Sequence, residues 1–273
     1  YASGLPLLSV QMSRTSLSQT LQTISLIGER LEPSMSINEA EHWLLMVDTT
    51  ADLPEHQKQM ISKASFVKEM DGYKLFDLIG SAFNRMVETN ASAAKALIDS
   101  SYRLGEPATL DSENHIFFNS LDLDSLQTSK SFKGNGAIEF DRVKWLSLLP
   151  RGNYVDSIVP MELSFWVYAG DQHSVNTQIW FWERRDEEEL NFQVTEIGDH
   201  VNAIVGEWSL VSYIISHHSN QSEFEVLLHR DGASMKVLID EILLKPVHLD
   251  VHKPGSLNIN NRYYQPIEST VVN

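Results

Sequence analysis

Between Met161 and Phe192 the chain reads MELSFWVYAGDQHSVNTQIWFWERRDEEELNF, which places three of its six tryptophans beside a run of glutamates. Indole and phenol rings present broad apolar faces with a single polar atom, so a row of them suits stacking on flat ligands rather than covalent chemistry. In MELSFWVYA, Leu163, Phe165 and Val167 fall on one side of a strand, while Glu162, Ser164, Trp166 and Tyr168 fall on the other. In TQIWFWE, Ile179 and Phe181 share one side, and Gln178, Trp180 and Trp182 the other. A half-buried antiparallel strand is apolar on its core side and wet on its other side. Here the expected wet side is aromatic. Two readings follow: a second packed layer, or a surface that stacks ligands.

Other chemistry is sparse. No Gly-x-Ser-x-Gly elbow, phosphate loop, dinucleotide fingerprint or His-Glu-x-x-His motif occurs. GNGAIEF has two glycines, with no helix after it to receive a phosphate. His217-His218 falls in a polar loop, His248 and His252 lie between prolines, and the acidic run 186–189 reads as a solvated turn. Asp48 ends the strand WLLMV, where α/β proteins place functional groups, but with Thr49, Thr50 and Asp52 following, a helix cap is the stronger reading.

These residues must be positioned by a chain of 273 residues with 42% hydrophobic content, enough for two ordinary globular cores. Net charge is −16, concentrated after Leu110, where 12 basic residues face 24 acidic ones. Such a surface opposes contact with nucleic-acid phosphates or an anionic membrane. No apolar run reaches the ~18 residues of a membrane span. The absence of cysteine excludes disulfides and thiolate zinc sites, and suits an exported bacterial protein. The start on Tyr1, in mid-pattern, is that of a segment excised from something longer.

Residues 1–108 alternate strand and helix signals and predict a small α/β domain. GLPLLSV reads as a strand. TSLSQTLQTISLIGERL repeats apolar residues near the helical period, at Leu17, Leu21, Ile24, Leu26 and Ile27. Ser36 and Glu39 fit a capping box ahead of the strand WLLMV, Asp52 and Pro54 open a helix, and Asp71-Gly72 turns a hairpin. SAFNRMVETNASAAKALIDSS is helical by composition. LGEPATLDSE marks the domain boundary. Residues 109–248 hold strand signals at sandwich spacing, with DGAS at 231–234 as a turn, and 249–273 form a polar tail or extended arm.

The order of three pieces is informative: MELSFWVYA, then GEWSLVSYIIS, then MKVLIDEILLKPV. It resembles the jelly-roll, galactose-binding-like carbohydrate-binding modules of bacterial polysaccharide-degrading enzymes. The matching positions are Leu163, Ser164, Phe165, Trp166 and Val167; Gly206, Trp208 and Val211; and Ile239, Asp240, Glu241, Ile242, Leu244 and Pro246. The resemblance covers about residues 113–248 and implies a jelly-roll β-sandwich. It also implies a structural calcium, with Asp240 at the family's late-strand aspartate as a candidate ligand; the alternative is that Asp240 accepts backbone hydrogen bonds at a strand end. The family's opening strand is altered here to HIFFNSLDLDS, which keeps only Asn119.

The expected architecture is therefore an α/β domain followed by an all-β sandwich. The expected function is non-catalytic binding of a neutral polysaccharide or cell-surface glycan by an extracytoplasmic protein. Trp166, Tyr168, Trp180 and Trp182 would stack, and Glu162, Gln178, Glu183 and Arg184 would make polar contacts. A second expectation is the extracytoplasmic C-terminal region of a larger, membrane-anchored, glycan-processing protein, with the sandwich as a structural module. A third is a hydrolase using Asp48.

Overall fold

The computed structural model describes residues 38–50, 53, 55–105, 108–121, 130–134, 136–140, 145–154, 159–168, 177–205, 208–219, 221–230 and 237–264. The expected strand at GLPLLSV, the helix at 15–31, Ser36, Asp52, Pro54 and the DGAS turn lie outside these residues.

Strands dominate, and they begin with β1 (His42–Asp48), β2 (Ser65–Met70) and β3 (Tyr73–Ile79), interleaved with α1 (Glu55–Ser62) and followed by α2 (Gly80–Leu97). The three strands form an antiparallel sheet ordered β1-β3-β2. Gly72 adopts φ +75° in the β2–β3 turn, as the Asp71-Gly72 pair predicts. In α2, Phe83, Met86 and Val87 recur at helical spacing and pack with Met60 and Leu78. Trp43 of β1 lies 5.5 Å from Phe83. The first amides of α2 need outside acceptors, and the carbonyls of Glu41 and Glu39 accept from Gly80 N at 2.7 Å and Ser81 N at 3.1 Å.

The chain then passes through β4 (Tyr102–Arg103) into a sandwich. Its strands are β5 (Ala108–Asp111), β6 (Ile116–Asn119), β7 (Ile138–Phe140), β8 (Trp145–Gly152), β9 (Met161–Tyr168), β10 (Thr177–Arg185), β11 (Glu188–Glu196), β12 (Val201–Val205), β13 (Trp208–Ile215), β14 (Glu223–Arg230) and β15 (Val237–Pro246). One sheet has the order β11-β10-β14-β8; the other has β12-β13-β9-β15-β6-β5, with β7 also on β15. Between them lies the main core, built from Phe165, Phe181, Val211, Phe224, Val226, Ile239 and their neighbours. The segment expected as a polar boundary thus includes β5, which pairs with β6 from Ala108 to Asp111.

Residues 249–264 are not a solvated tail. They form β16 (Val251–Lys253), β17 (Asn258–Ile259) and β18 (Arg262–Tyr263), with β16 parallel to β4. Val251, Ile259 and Tyr263 are buried. This arm and residues 130–134, 136 and 137 lie over the outer side of the larger sheet, where Phe132 and Tyr263 pack with Trp166, Leu210 and Leu238. That is why β9 and β15 are buried on both faces while β10 alternates strictly.

Candidate functional site

The smaller sheet has an outer face that reaches solvent. Its cross-strand register sets the side chains in rows. Gln178 pairs with Glu196 on one flank and His229 on the other, and His229 pairs with Trp145. In the next row Val194, Trp180, Leu227 and Ser147 align, and in the third Phe192, Trp182 and Glu225. Side chains two residues apart share a face, so these rows make one continuous aromatic band. Trp145 lies 4.9 Å from Trp180 and 4.2 Å from His229, and Trp180 lies 5.3 Å from both Trp182 and Phe192. Phe192 stacks on Trp182 at 4.8 Å, and the Arg184 guanidinium sits 5.5 Å from the Trp182 ring.

The two ends of the band are the most open. Trp145 is 42% exposed and Phe192 41%. They stand on the outermost strands of the four-stranded sheet, with Trp180 between them, 4.9 Å from Trp145 and 5.3 Å from Phe192. Polar groups flank the rings: Trp180 Nε1 donates to Gln178 Oε1 at 3.1 Å, and Gln178 Nε2 to Glu196 Oε1 at 3.0 Å. Each nearby guanidinium has an acidic neighbour, Arg184 with Glu225 at 3.8 Å and Arg151 with Glu223 at 2.7 Å.

Edge strand β11 is inverted relative to an ordinary sandwich strand. Its apolar Phe192 and Val194 lie on the wet face. Its polar Gln193 and Asn191 reach the other way, with Tyr213 Oη donating to Gln193 Oε1 at 2.6 Å and Asn191 Nδ2 to the Ser216 carbonyl at 3.4 Å.

Of the residues expected to bind, Trp180, Trp182, Gln178 and Arg184 share this face. The structure separates the other four from it. Glu183 points into the sandwich and is fully buried, accepting from His218 N, Ser219 N and Ser222 Oγ at 2.7, 3.1 and 2.6 Å. Burial pushes its carboxyl up, but these hydrogen bonds outweigh that and hold it below the usual range. Trp166, Tyr168 and Glu162 belong to the larger sheet. Trp166 is fully buried, stacked on Phe132 at 3.7 Å, and donates from Nε1 to the Asn261 carbonyl at 3.1 Å. Tyr168 packs 5.5 Å from Trp208, and Glu162 pairs with Lys245 at 3.0 Å and Arg262 at 3.7 Å. The aromatic sides of the two strands thus differ: that of β9 faces a second packed layer, and that of β10 faces solvent.

Sequence reasoning missed Trp145, His229, Phe192 and Val194. The alternation Trp145/Ser147 against Leu146/Leu148 carries the signal for β8. For β11 no local signal exists, since its apolar side is the one turned outward.

Asp240 sits at the bulge of β15, fully buried. Its carboxylate accepts from the amides of Phe132, Lys133 and Glu241 at 2.7, 3.2 and 2.8 Å. Burial, and then the Glu241 charge beside it, push its pKa up to about 8 against those three donors. Glu241 in turn accepts from Lys253 Nζ at 2.6 Å and Tyr263 Oη at 2.7 Å. Calcium requires six to eight oxygens around it. Here N–H and O–H donors surround both carboxylates, so the residues present do not fit a calcium shell. Among the described residues no group of three or more His, Cys, Asp or Glu is placed to hold a metal. Asp48 accepts from Thr50 N at 2.8 Å, a local turn contact.

No family model matches the chain, and no curated protein matches it. Among solved structures it is similar to the CBM22-1 xylan-binding domain from Paenibacillus barcinonensis Xyn10C, at 16% identity and TM-score 0.31 over 54% of this chain and 90% of that one. It is also similar to TmCBM61 in complex with beta-1,4-galactotriose, at 14% identity and TM-score 0.27 over 51% and 86%. A third, the CBM22-1–GH10 modules of Clostridium thermocellum xylanase 10B complexed with xylohexaose, matches at 13% identity and TM-score 0.28 over 43% and 23%.

Proposed function

We propose that the protein is a non-catalytic, extracytoplasmic glycan-binding protein that holds a neutral oligosaccharide chain across the outer face of β11-β10-β14-β8. The sheet and helices of residues 42–97 form a second, α/β domain. The observation that carries the binding reading is the inverted edge strand, which turns Phe192 and Val194 outward beside Trp145, Trp180 and Trp182. Apolar side chains on the wet side of a sheet stay partly exposed in the folded monomer, and contiguous exposed patches of this kind mark binding sites. Pyranose rings present apolar C–H faces to indole and phenyl rings, while their hydroxyls suit the flanking Gln178, Glu196 and His229. The pairing of Arg184 and Arg151 with glutamates leaves no surplus positive charge for an anionic polymer. The row of three rings, Trp145, Trp180 and Phe192, each about 5 Å from the next, favours an oligosaccharide over a single sugar.

The test is calorimetric titration with a panel of neutral and uronic-acid polysaccharides. Trp145→Ala and Phe192→Ala should each weaken binding about tenfold or more, which is ~1.4 kcal/mol, without loss of folded protein. Binding unaffected by both substitutions would move the site elsewhere. No binding to any member of the panel would favour the sandwich as a structural module.

A further inference from the structure

Trp180 stands at the middle of the outer face of β11-β10-β14-β8. Its ring lies 4.9 Å from Trp145, 5.3 Å from Phe192 and 5.4 Å from His229, so the two open ends of the band meet through it. The last torsion of an indole has broad, roughly two-fold wells, and rings that are themselves exposed restrain it weakly. Trp145 and Phe192 are such rings. A hydrogen bond to the indole's single donor selects one orientation. That bond comes from the same strand and the same face, where Trp180 Nε1 donates to Gln178 Oε1 at 3.1 Å. Gln178 has a long, flexible side chain, and its cross-strand partner on β11 pins it in turn: Nε2 donates to Glu196 Oε1 at 3.0 Å. Donation to a carboxylate makes this the stronger of the two links. A neutral amide accepts from an indole and donates to a carboxylate at once; a carboxylate or an ammonium in its place could not.

We infer that Gln178 is a positioning residue for the glycan face. Anchored by Glu196, it fixes the Trp180 ring in the orientation that joins Trp145 to Phe192, and it influences a bound glycan through that ring, beyond any contact of its own. The inference rests on the glycan reading of this face. It also divides the face by chemistry. Trp180 spends its N–H inside the protein, so the middle of the band offers a ligand apolar ring surface alone, suited to the C–H face of a pyranose. The acceptors that hydroxyls need stand at the margin, where Glu196 is exposed.

The test is a double-mutant cycle between Gln178→Leu and Trp180→Phe, the second of which keeps an aromatic ring but removes the N–H. Affinity is read by calorimetry with a polysaccharide that the parent protein binds. The indole N–H is read by nitrogen-edited NMR, with the Trp180 resonance identified by its loss in Trp180→Phe. Gln178→Leu should weaken binding ~3–10-fold in the parent background, the range of one lost hydrogen bond, and less than ~2-fold in the Trp180→Phe background. Without any glycan present, it should also move the Trp180 indole resonance upfield and speed its hydrogen exchange. Equal losses in both backgrounds would make Gln178 a contact residue only and overturn the inference, and so would an unmoved indole resonance. Gln178→Met repeats both measurements should the leucine variant unfold. If the parent protein binds no polysaccharide, the glycan reading fails by itself, and the indole resonance still decides whether Gln178 holds the ring.

Discussion

Two tryptophans on consecutive strands, Trp145 of β8 and Trp166 of β9, contrast an exposed indole with a packed one. Trp166 has no exposed surface, one ring face against Phe132 and its indole N–H spent on the Asn261 carbonyl. Trp166→Ala should therefore cost ~3–5 kcal/mol in urea unfolding, as buried aromatic truncations do. Trp145, 42% exposed, should cost well under half of that when truncated, although its contacts with Trp180 and His229 keep the loss above that of an isolated surface residue. Equal losses at both positions would mean that the outer face of β8 is covered in solution. Glu183 gives a pH signature at the same scale. Its folded carboxyl lies below its unfolded value of about 4.3, so its stabilisation is complete above that pH and fades as pH falls through the folded value. Glu183→Gln should flatten this part of the acid limb of a melting-temperature profile, and an unchanged limb would show that the hydrogen bonds from His218, Ser219 and Ser222 contribute nothing to it.

At the level of elements, legibility followed locality. The Asp71-Gly72 hairpin and the strict alternation of β10 were readable because their causes are a turn geometry and a period of two within nine residues. The double burial of β9 was not, because Phe132 and Tyr263, which cover it, lie 34 residues before and 97 residues after Trp166. Half of the site could be read for the same reason: β10 announces Trp180 and Trp182, whereas Trp145 and Phe192 join them only through strand order. The β15 bulge is the clearest long-range device. Asp240 anchors the amides of residues 132 and 133, and Glu241 anchors Lys253 and Tyr263 of the arm. With its pKa at about 8, Asp240 binds a proton in the folded state that the unfolded chain releases near pH 4. This group's contribution is thus full below about pH 4 and declines as pH rises to about 8. Thermal melts should show that downward slope, and Asp240→Asn should remove it while lowering stability throughout, since an amide N–H would replace an acceptor. Millimolar calcium should leave the midpoint unchanged, because those donors already surround the carboxylate; a rise abolished by Asp240→Ala would restore the metal reading.

For the whole molecule, the question is where the sandwich ends. A boundary drawn at residues 109 and 248 follows the composition, but the hydrogen bonds cross it. Tyr102 N donates to the Asp250 carbonyl at 2.8 Å and Leu104 N to the His252 carbonyl at 2.9 Å, so β4 and the arm are one structure. Leu104 and Val251 share a core with Ile116, Phe118 and Leu243 of the larger sheet. Removing the arm would uncover Trp166, Leu210 and Leu238 together, and would take Lys253 and Tyr263 from the Glu241 carboxylate. Loss of the packing of even one buried aromatic costs ~3–5 kcal/mol, against a total stability of ~5–15 kcal/mol for a typical domain. A fragment of residues 109–248 should therefore fail to show a cooperative thermal transition. A fragment of residues 100–264 retains β4, the arm and both sheets, and should unfold cooperatively and keep the glycan binding proposed for the full chain. Cooperative unfolding of the shorter fragment, at a midpoint near that of the longer one, would reduce the arm to an accessory.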